Sequence, residues 1–359
     1  GTPQRRVKLN DPELKTVVFR GVHARNLQID EITVPLQRFT VVTGVSGSGK
    51  STFCREVLFE NLSRRLKDAQ APLAGTDQLT GFENVGRVLE VDQTPIGKNS
   101  RSCPATYIGI MTAIRDLYAA TNEAQARGYD ASRFSFNKAV GACPVCAGQG
   151  LRTVEMNFLP DVKVLCEACA GKRFNPETLE VLWRGKSIGD VLEMEIDEAV
   201  DFFASMPSIA YPLKLMQDVG LGYLTLGQPS PTLSGGEAQR LKLVTELAKV
   251  RTDGSFAARA PHTLYVLDEP TVGLHMTDVD RLSKVLSRLV DAGSTVVVIE
   301  HNLDIAADAD WIIDLGPEGG AKGGKVVAQG SPKMIARKNT ATGIVLRAFL
   351  AEHKPVKSA

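Results

Sequence analysis

Residues 44–51 read Gly-Val-Ser-Gly-Ser-Gly-Lys-Ser, a glycine-rich loop that closes on lysine and serine. The β-branched run 39–43 leads into this loop, and the helix-compatible residues 51–66 follow it. Strand, glycine loop and helix in this order are typical of a loop whose backbone N–H groups surround a phosphate, while lysine neutralises phosphate oxygens and serine ligates Mg²⁺. The sequence therefore predicts an α/β P-loop core. The residues predicted to bind ATP are Gly44, Ser46, Gly47, Ser48, Gly49, Lys50, Ser51 and Thr52.

Two acidic residues follow a second apolar run. Residues 264–267 end in Asp268-Glu269-Pro270, which places both carboxylates at the carboxyl edge of a parallel sheet, where such sheets bind ligands. We expect Asp268 to hold Mg²⁺ together with Ser51. We expect Glu269 to orient or deprotonate the attacking water, because phosphoryl transfer depends mainly on positioning and charge neutralisation.

Two further side chains complete the predicted catalytic set of Glu269, His301 and Gln93. The run 294–299 ends in Glu300-His301, so His301 is expected at the equivalent edge of a neighbouring strand, as a sensor of the γ-phosphate. Gln93 follows the run 88–92 and is expected to report on water and to be a third magnesium ligand.

The segment 233–237, Leu-Ser-Gly-Gly-Glu, precedes an amphipathic stretch at 238–250. A helix N-terminus that bears serine and glycine is an anion site, but this one is expected to lie far from the phosphate loop of its own chain. The residues predicted to cap the ATP held by a second cassette are Ser234, Gly235, Gly236 and Glu237. In order with the motifs above, this segment resembles the signature of the ATP-binding cassette family.

Four of the six cysteines form two close pairs, Cys143-Pro-Val-Cys146 and Cys166-Glu-Ala-Cys169, with 19 residues between the pairs. This spacing is typical of structural zinc sites, and four thiolates would close a tetrahedral shell with no open position. A redox dithiol, the competing interpretation, needs only one such pair. Each pair is followed by Ala-Gly, which indicates two similar turns. Residues 153–158 and 162–165 are expected to form a hairpin around 159–161.

The composition is that of an ordinary globular protein, with 359 residues of which 43% are hydrophobic. No stretch approaches the roughly 20 apolar residues of a membrane span, and the first residues do not read as a signal peptide. We therefore expect a cytosolic protein without a membrane partner.

The remaining cysteines, Cys54 and Cys103, stand alone and are expected to pack in the core.

A net charge of +1 means that any grip on a polyanion has to come from a local patch. Around the cysteine pairs, basic residues alternate with Tyr129, Phe134, Phe136 and Phe174. This pattern suits phosphate contacts and base stacking, but also a small aromatic core with a solvated face. The residues predicted to bind DNA are Arg127, Arg133, Lys138, Arg152, Lys163, Lys172 and Arg173.

Gln93 and Ser234 lie 141 positions apart, further than a compact helical subdomain needs, so an insertion is expected between them. The start at Gly1 suggests a piece of a longer polypeptide. The predicted domains are a first part of the ATP-binding core (1–98), an inserted and mostly helical signature domain (99–230) with a zinc module (140–175), a second part of the core (231–350) and a flexible tail (351–359).

A wider set of motifs resembles the UvrA family, the damage-sensing ATPases of bacterial nucleotide excision repair. The resemblance runs from about Val17 to Gln329. It rests on residues 44–52, 93–97, 104–107, 133–137, 233–240, 268–275 and 314–320 and on the two cysteine pairs.

This resemblance implies a carboxy-terminal half of a UvrA-type protein that uses ATP, Mg²⁺ and a structural Zn²⁺ in the recognition of distorted double-stranded DNA. It also implies two protein partners: the amino-terminal ATP-binding half of the same polypeptide, which would complete a composite ATPase site, and a second UvrA-like protomer. UvrB would be recruited through regions absent from these residues, and the chain itself is not expected to be a nuclease.

Some residues depart from the family pattern. Cys103 stands where Asn is expected, Val272 stands where Thr is expected, and 251–261 look like an extra mobile loop. These departures leave open a UvrA-like paralogue that acts in tolerance of particular lesions or DNA-binding drugs. Three rival classes fit less well. A transporter cassette has no use for a four-cysteine module, a Rad50-type ATPase would need a sustained heptad repeat, and a non-enzymatic zinc ribbon would not keep the catalytic carboxylates.

Overall fold

The computed structural model describes residues 13–97, 99–154, 162–249 and 262–352. The strands are β1 (Thr16–Val22), β2 (Ile29–Pro35), β3 (Phe39–Gly44), β4 (Thr76–Thr80), β5 (Arg87–Val91), β6 (Leu151–Val154), β7 (Val162–Leu165), β8 (Leu182–Trp183), β9 (Lys186–Ser187), β10 (Thr263–Asp268), β11 (Thr295–Ile299), β12 (Trp311–Gly316) and β13 (Lys325–Gly330). The helices are α1 (π-helical over Thr52–Phe59, then α-helical over Glu60–Arg65), α2 (Pro104–Tyr107), α3 (Ile110–Ala119), α4 (Asn122–Ala126), α5 (Pro176–Leu179), α6 (Ile188–Glu193), α7 (Ile196–Phe202), α8 (Pro207–Asp218), α9 (Gly235–Lys249), α10 (Met276–Asp291), α11 (Leu303–Asp308), α12 (Pro332–Ile335) and α13 (Ala341–Glu352). Short 3-10 turns span Phe82–Asn84, Ser230–Thr232 and Gly320–Lys322.

The chain divides into two compact units, residues 1–92 with 250–359, and residues 93–249. The sequence placed residues 231–350 together in the core, whereas α9 packs against α8 and lies in the second unit. The segment 233–237 therefore belongs to the second unit. The predicted turn at 159–161, the predicted loop at 251–261 and most of the predicted tail lie outside the described residues, while the first two tail residues end α13.

The first unit is built on a six-stranded sheet with the order β13-β12-β3-β11-β10-β5. All neighbours in it are parallel except the edge strand β13. Strands β3, β10 and β11 are buried along almost their whole length, as expected for parallel strands covered on both faces. Register pairs Val42 with Ile299 and Ile299 with Asp268, so the residues that follow β3, β10 and β11 meet at one edge. This arrangement confirms the predicted α/β core.

A three-stranded antiparallel sheet, β2-β1-β4, packs with α1 and the central sheet around one hydrophobic core. Phe53 of α1 meets Phe19 of β1 edge to face, with ring centroids 6.1 Å apart. Truncating a buried phenylalanine to alanine typically costs about 3–5 kcal/mol, so this contact anchors the helix that follows the phosphate loop. Cys54 is fully buried in the same core, and Cys103 is fully buried in the second unit, as predicted for packing residues.

The second unit is mostly helical. Its α8 packs against α7 and α9, and α3 packs against α8. The hairpin β6–β7 pairs Leu151 with Leu165 and Val154 with Val162, which agrees with the described part of the predicted hairpin. In the residues that the structure describes, no helix combines the length and the apolar character needed to span a bilayer.

Candidate nucleotide site and metal centre

The glycine loop between β3 and α1 is held in a conformation that side chains would prevent. Gly44, Gly47 and Gly49 have φ angles of 134°, 75° and 98°, which L-residues rarely adopt. A Cβ on Gly44 would lie 2.0 Å from the Leu315 carbonyl oxygen, and one on Gly49 would lie 2.4 Å from Cδ2 of Leu27. The glycines therefore allow the loop to pack directly against its neighbours.

Lys50 lies inside this loop and is only 7% exposed. Its ammonium group donates to the carbonyl oxygens of Gly44 (2.9 Å) and Val45 (3.0 Å). Burial lowers the pKa of Lys50, and the carboxylates of Glu269 and Asp268 oppose that shift. The lysine is thus enclosed and close to the two acidic side chains with which the sequence associated it.

The other residues predicted to bind ATP surround this lysine. Ser46, Gly47 and Ser51 are exposed, Gly44, Gly49 and Thr52 are partly buried, and Ser48 is fully buried. A support that the sequence did not reveal comes from Asn26, whose side-chain amide donates to the carbonyl oxygens of Gly47 and Gly320, both at 3.1 Å. The sequence shows only that Asn26 lies between two strands, and nothing in it indicates these two hydrogen bonds.

Glu269 and His301 meet at the carboxyl edge of the sheet. Nε2 of His301 lies 3.4 Å from Oε1 of Glu269, and both side chains are partly open to solvent. Glu269 has φ of 44°, an unusual value for a residue other than glycine. Its N–H donates to the Ile299 carbonyl oxygen at 2.9 Å. The structure therefore brings together the residues proposed to activate water and to sense the γ-phosphate.

Arg55 is a site residue that sequence reasoning missed. Its guanidinium lies 2.6 Å from Glu90 and 3.1 Å from Oδ2 of Asp268. Burial raises the pKa of the Asp268 carboxyl despite the opposing effect of Arg55. The available signal was spacing, because Arg55 follows Ser51 by four residues and so lies on the same helix face.

Gln93 and the signature segment lie in the second unit. A Cβ on Gly235 would lie 3.1 Å from Oε1 of Gln93, so the glutamine packs against the start of α9. The N–H of Ser234 donates to Glu237 at 2.7 Å, and the N–H of Glu237 donates to the Ser234 hydroxyl at 3.3 Å. This capping box fixes the first turn of α9. The assignment of Gln93 to Mg²⁺ stays a prediction.

Glu237 is also held by Tyr223, whose hydroxyl donates to Oε1 at 2.5 Å. Burial acts to raise the pKa of Glu237, but hydrogen bonds from Tyr223 and Ser234 outweigh it, so the pKa is lowered. The start of α9 therefore carries an ionised, partly buried carboxylate beside Ser234.

The four paired cysteines form one buried cluster in the second unit. Their sulfur atoms all lie within 4.8 Å of one another. Two of the separations are 3.9 Å (Cys143 to Cys166) and 3.7 Å (Cys146 to Cys169). A tetrahedral Zn²⁺ with Zn–S bonds of about 2.3 Å separates its sulfurs by about 3.8 Å. The donor set and its spacing fit a structural zinc ion.

The two cysteine turns repeat each other. Ala147 and Gly148 have φ angles of 48° and 76°, and Ala170 and Gly171 have 47° and 84°.

Burial raises the pKa of Cys146 and raises that of Cys169 to about 12. Both sulfurs therefore favour the thiol form unless a cation neutralises them, and a metal supplies such a cation.

The seven basic residues predicted to bind DNA fall into three groups, and the first is held in ion pairs. Arg127 lies 2.6 Å from Glu123 and 2.7 Å from Glu180, and Lys172 lies 2.6 Å from Asp190. The second group, Lys138, Arg152 and Lys163, is exposed, and its last two members lie on the hairpin β6–β7. Their exposure keeps them as candidate phosphate contacts.

Arg133 and Arg173 are structural. Arg133 donates to Thr178 at 2.9 Å and lies over the Tyr129 ring, 4.4 Å from its centroid. Arg173 is 4% exposed and donates to the carbonyl oxygens of Ser100 (2.9 Å) and Gly227 (2.6 Å). Burial lowers its pKa. We therefore remove Arg173 from the candidate DNA contacts, because a buried guanidinium cannot reach a phosphate.

The aromatic residues of this region build a core. Phe134, Phe136 and Phe174 are buried, and Phe136 meets Phe174 edge to face with centroids 6.0 Å apart. Base stacking needs an exposed ring face, so these three rings do not provide it. For the residues that the structure describes, a small aromatic core with a solvated basic face therefore fits better than a base-stacking surface.

The fold and the site geometry together identify the class of protein. A parallel sheet that carries a glycine loop, an acidic strand end and an adjacent histidine, joined to a helical unit with a signature segment, is an α/β fold of the ATP-binding cassette type. No family model matches the chain. Known proteins, however, are closely similar to it.

The chain is 55% identical over 337 residues to UvrABC system protein A of Thermus thermophilus, covering 94% of the chain and 34% of that protein. It is 50% identical over 349 residues to UvrABC system protein A of Aquifex aeolicus, covering 97% of the chain and 36% of that protein. The crystal structure of UvrA2 from Deinococcus radiodurans matches with a TM-score of 0.81 and 45% identity, covering 96% of the chain and 41% of that structure.

This chain belongs to the UvrA family and corresponds to a UvrA half. It spans about a third of the length of the curated relatives that it matches. The family resemblance that the motifs indicated is thereby confirmed.

Proposed function

We propose that this chain is the carboxy-terminal ATP-binding and ATP-hydrolysing cassette of a UvrA-type protein, which recognises damaged double-stranded DNA in nucleotide excision repair. The observation that carries the proposal is 55% identity to a UvrABC system protein A over 94% of the chain. The convergence of Lys50, Asp268, Glu269 and His301 in one unit supports ATP chemistry. The chain itself is not a nuclease in this proposal.

In this mechanism the glycine loop and Lys50 would hold the ATP phosphates, and Ser51 and Asp268 would hold Mg²⁺, with Gln93 as the further ligand that the sequence predicts. Glu269 orients or deprotonates the attacking water, and His301, at 3.4 Å from Glu269, contacts the γ-phosphate. The metal supplies charge neutralisation on the transferred phosphoryl group. The signature residues Ser234 to Glu237 cap ATP bound by a second cassette.

The partners follow from this composite site. The second cassette is the amino-terminal half of the same full-length protein, and a second UvrA-like protomer completes the assembly. UvrB binds through regions outside this chain. The four-cysteine cluster would hold a zinc ion that stabilises the module, and Lys138, Arg152 and Lys163 of this region would contact DNA phosphates. We place the protein in the cytoplasm, where its DNA substrate lies.

The test is a fluorescence anisotropy titration of the chain with a duplex that carries one bulky lesion and with the same duplex undamaged. Each titration is run with and without ATP. We expect tighter binding to the damaged duplex and a change in this preference on ATP addition. Equal affinities for both duplexes under all conditions would contradict damage recognition by this chain.

A UvrA-like paralogue in lesion or drug tolerance is the second candidate. It rests on the departures from the family pattern at Cys103 and Val272, and the chain also resembles UvrA2, at 45% identity. Survival after ultraviolet irradiation separates the two candidates, measured in a UvrA-deficient bacterium that expresses the full-length protein. Full rescue supports the repair subunit, whereas rescue limited to DNA-binding drugs supports the paralogue.

A further inference from the structure

Glu300 is a buried carboxylate, 2% exposed, at the carboxyl end of β11. The proposed ATPase mechanism assigns it no role. Its N–H donates to the Val42 carbonyl oxygen at 3.2 Å, which ties it to the strand that enters the glycine loop. Buried carboxylates are costly unless hydrogen bonds satisfy them, so its partners indicate what it does.

The two oxygens of Glu300 serve two different segments. Oε1 accepts from the N–H (2.9 Å) and the hydroxyl (2.6 Å) of Thr271, in the turn that follows Glu269. Oε2 accepts from the N–H groups of His301 (3.0 Å) and Asn302 (3.2 Å). All four donors are uncharged, and one side chain therefore links the Glu269 turn to the His301 loop.

This link matters because Glu269 is held in a strained conformation, with φ of 44°. A non-glycine residue keeps such a backbone only when its surroundings determine it several times over. The turn is fixed by the bond from the Val272 N–H to the Glu269 carbonyl oxygen (3.2 Å) and by the two bonds from Thr271 to Glu300. Glu300 thus supports both sides of the 3.4 Å contact between Glu269 and His301.

We infer that Glu300 is a positioning residue that sets the geometry of Glu269 and His301 relative to each other for ATP hydrolysis. The inference rests on the proposed ATPase function. Glu300 acts through the backbone of its neighbours and does not touch the nucleotide. It therefore controls turnover more than nucleotide affinity.

The first test is local and needs no activity. Glu300→Gln preserves shape but replaces one acceptor oxygen by an NH₂ group, which cannot accept a hydrogen bond. Amide hydrogen exchange is measured on Thr271, His301 and Asn302. We expect one of the two segments, the Thr271 turn or the His301 loop, to lose at least tenfold in protection while the other keeps it. Unchanged protection of both segments would overturn the inference.

The second test separates positioning from general stability. Wild type, Glu300→Gln, His301→Ala and the double variant are compared for ATP affinity, with a fluorescent ATP analogue, and for turnover. We expect Glu300→Gln to lower kcat tenfold or more with less than a threefold change in affinity. His301→Ala should lower log kcat in the Glu300→Gln background by less than half of the decrease that it causes in the wild type. The reason is that Glu300→Gln has already disturbed the geometry of His301. Additive losses would contradict the inference.

Asp310→Asn is the matched control. Asp310 is a carboxylate of the same unit that accepts from the Phe39 N–H at 2.8 Å, at the amino end of β3 and so at the opposite edge of the sheet. It should leave kcat unchanged. Equal loss of kcat in Asp310→Asn and Glu300→Gln would show a general effect of losing a carboxylate. If the wild-type chain neither binds nor hydrolyses ATP, the proposed function fails, while the exchange result still decides the role of Glu300 in the fold.

Discussion

Nη2 of Arg55 lies 3.1 Å from Oδ2 of Asp268, the carboxylate proposed to hold Mg²⁺. A guanidinium and a divalent cation compete for the same oxygens, so this ion pair would oppose Mg²⁺ binding at Asp268. The same guanidinium also lies 2.6 Å from Glu90, so Arg55 would keep one ion-pair partner if Mg²⁺ bound Asp268.

Arg55→Ala should therefore lower the Mg²⁺ concentration needed for half-maximal ATP binding, by about three- to tenfold, which corresponds to roughly 0.7–1.4 kcal/mol. The measurement is a Mg²⁺ titration of ATP-analogue fluorescence. Arg64→Ala, on the same helix and paired with Glu60, is the control and should behave as wild type. A higher Mg²⁺ requirement in Arg55→Ala would mean that Arg55 orients Asp268 for the metal instead of competing with it.

Glu269→Gln and Lys50→Ala should affect different steps. Loss of a general base typically costs about 10²–10⁴-fold in rate, so Glu269→Gln should bind ATP as wild type does and hydrolyse it at least a hundredfold more slowly. Lys50→Ala removes charge-assisted bonds worth about 1.5–3 kcal/mol each and should weaken ATP binding about tenfold or more. Equilibrium binding and single-turnover hydrolysis distinguish them. Equal losses of affinity in both variants would rule out the proposed role of Glu269.

The cysteine cluster should bind about one zinc ion per chain. Metal analysis of protein prepared without chelator measures this directly. Cys166→Ala/Cys169→Ala should lose the metal, because half of the ligand set is gone. Cys103→Ala, at a buried cysteine outside the cluster, should retain it. Zinc kept at full stoichiometry by the double variant would place the metal elsewhere.

A site shared between cassettes should make turnover depend on concentration. We expect the specific ATPase rate of the isolated chain to fall at least tenfold over a hundredfold dilution. Mixing Lys50→Ala with Ser234→Arg gives a sharper measurement. Each variant alone lacks one half of every shared site, whereas a mixed pair contains one intact site, so mixing should restore activity. No gain on mixing, with a turnover that is independent of concentration, would refute the shared site.

The exposed hairpin cations should control salt-dependent DNA binding. Each phosphate contact adds about 0.9 to the slope of log affinity against log salt. Arg152→Ala/Lys163→Ala should therefore reduce the slope by up to about 1.8 and weaken binding to damaged and undamaged duplex alike. Lys284→Ala, an exposed lysine on α10 of the other unit, is the control. An unchanged slope in the double variant would move the DNA surface away from the hairpin.

The parts of the site that follow from local patterns could be predicted from the sequence. Buried runs that end in Asp268 and Glu300 gave the strands and the shared edge, since parallel strands end at the same side of a sheet. The spacing of the cysteine pairs likewise predicted the cluster. Both depend on residues that are close in the sequence or on one simple packing rule.

Other features depend on which strands and helices become neighbours. The link from Arg55 to Glu90 and Asp268 requires β5 beside β10, and no local pattern states that order. The burial of Arg173 was missed for a similar reason. In the sequence it reads as part of a basic patch, but it packs over Phe136, with 5.2 Å from guanidinium to ring centroid, and satisfies backbone carbonyls.

Cys54 and Cys103 are the two cysteines outside the four-cysteine cluster, and each unit contains one of them, fully buried. Burial raises the pKa of the Cys54 thiol well above its ordinary value, and an alkylating reagent reacts with an exposed thiolate. Modification of either sulfur therefore requires its unit to open. Each unit therefore contains a built-in reporter of its own opening. The labelling rate of Cys54 reports on opening around the helix that follows the glycine loop. The labelling rate of Cys103 reports on opening of the helical unit. A nucleotide bound at the glycine loop should slow the labelling of Cys54 directly. Any slowing of Cys103 labelling would measure how far along the chain the nucleotide stabilises the protein.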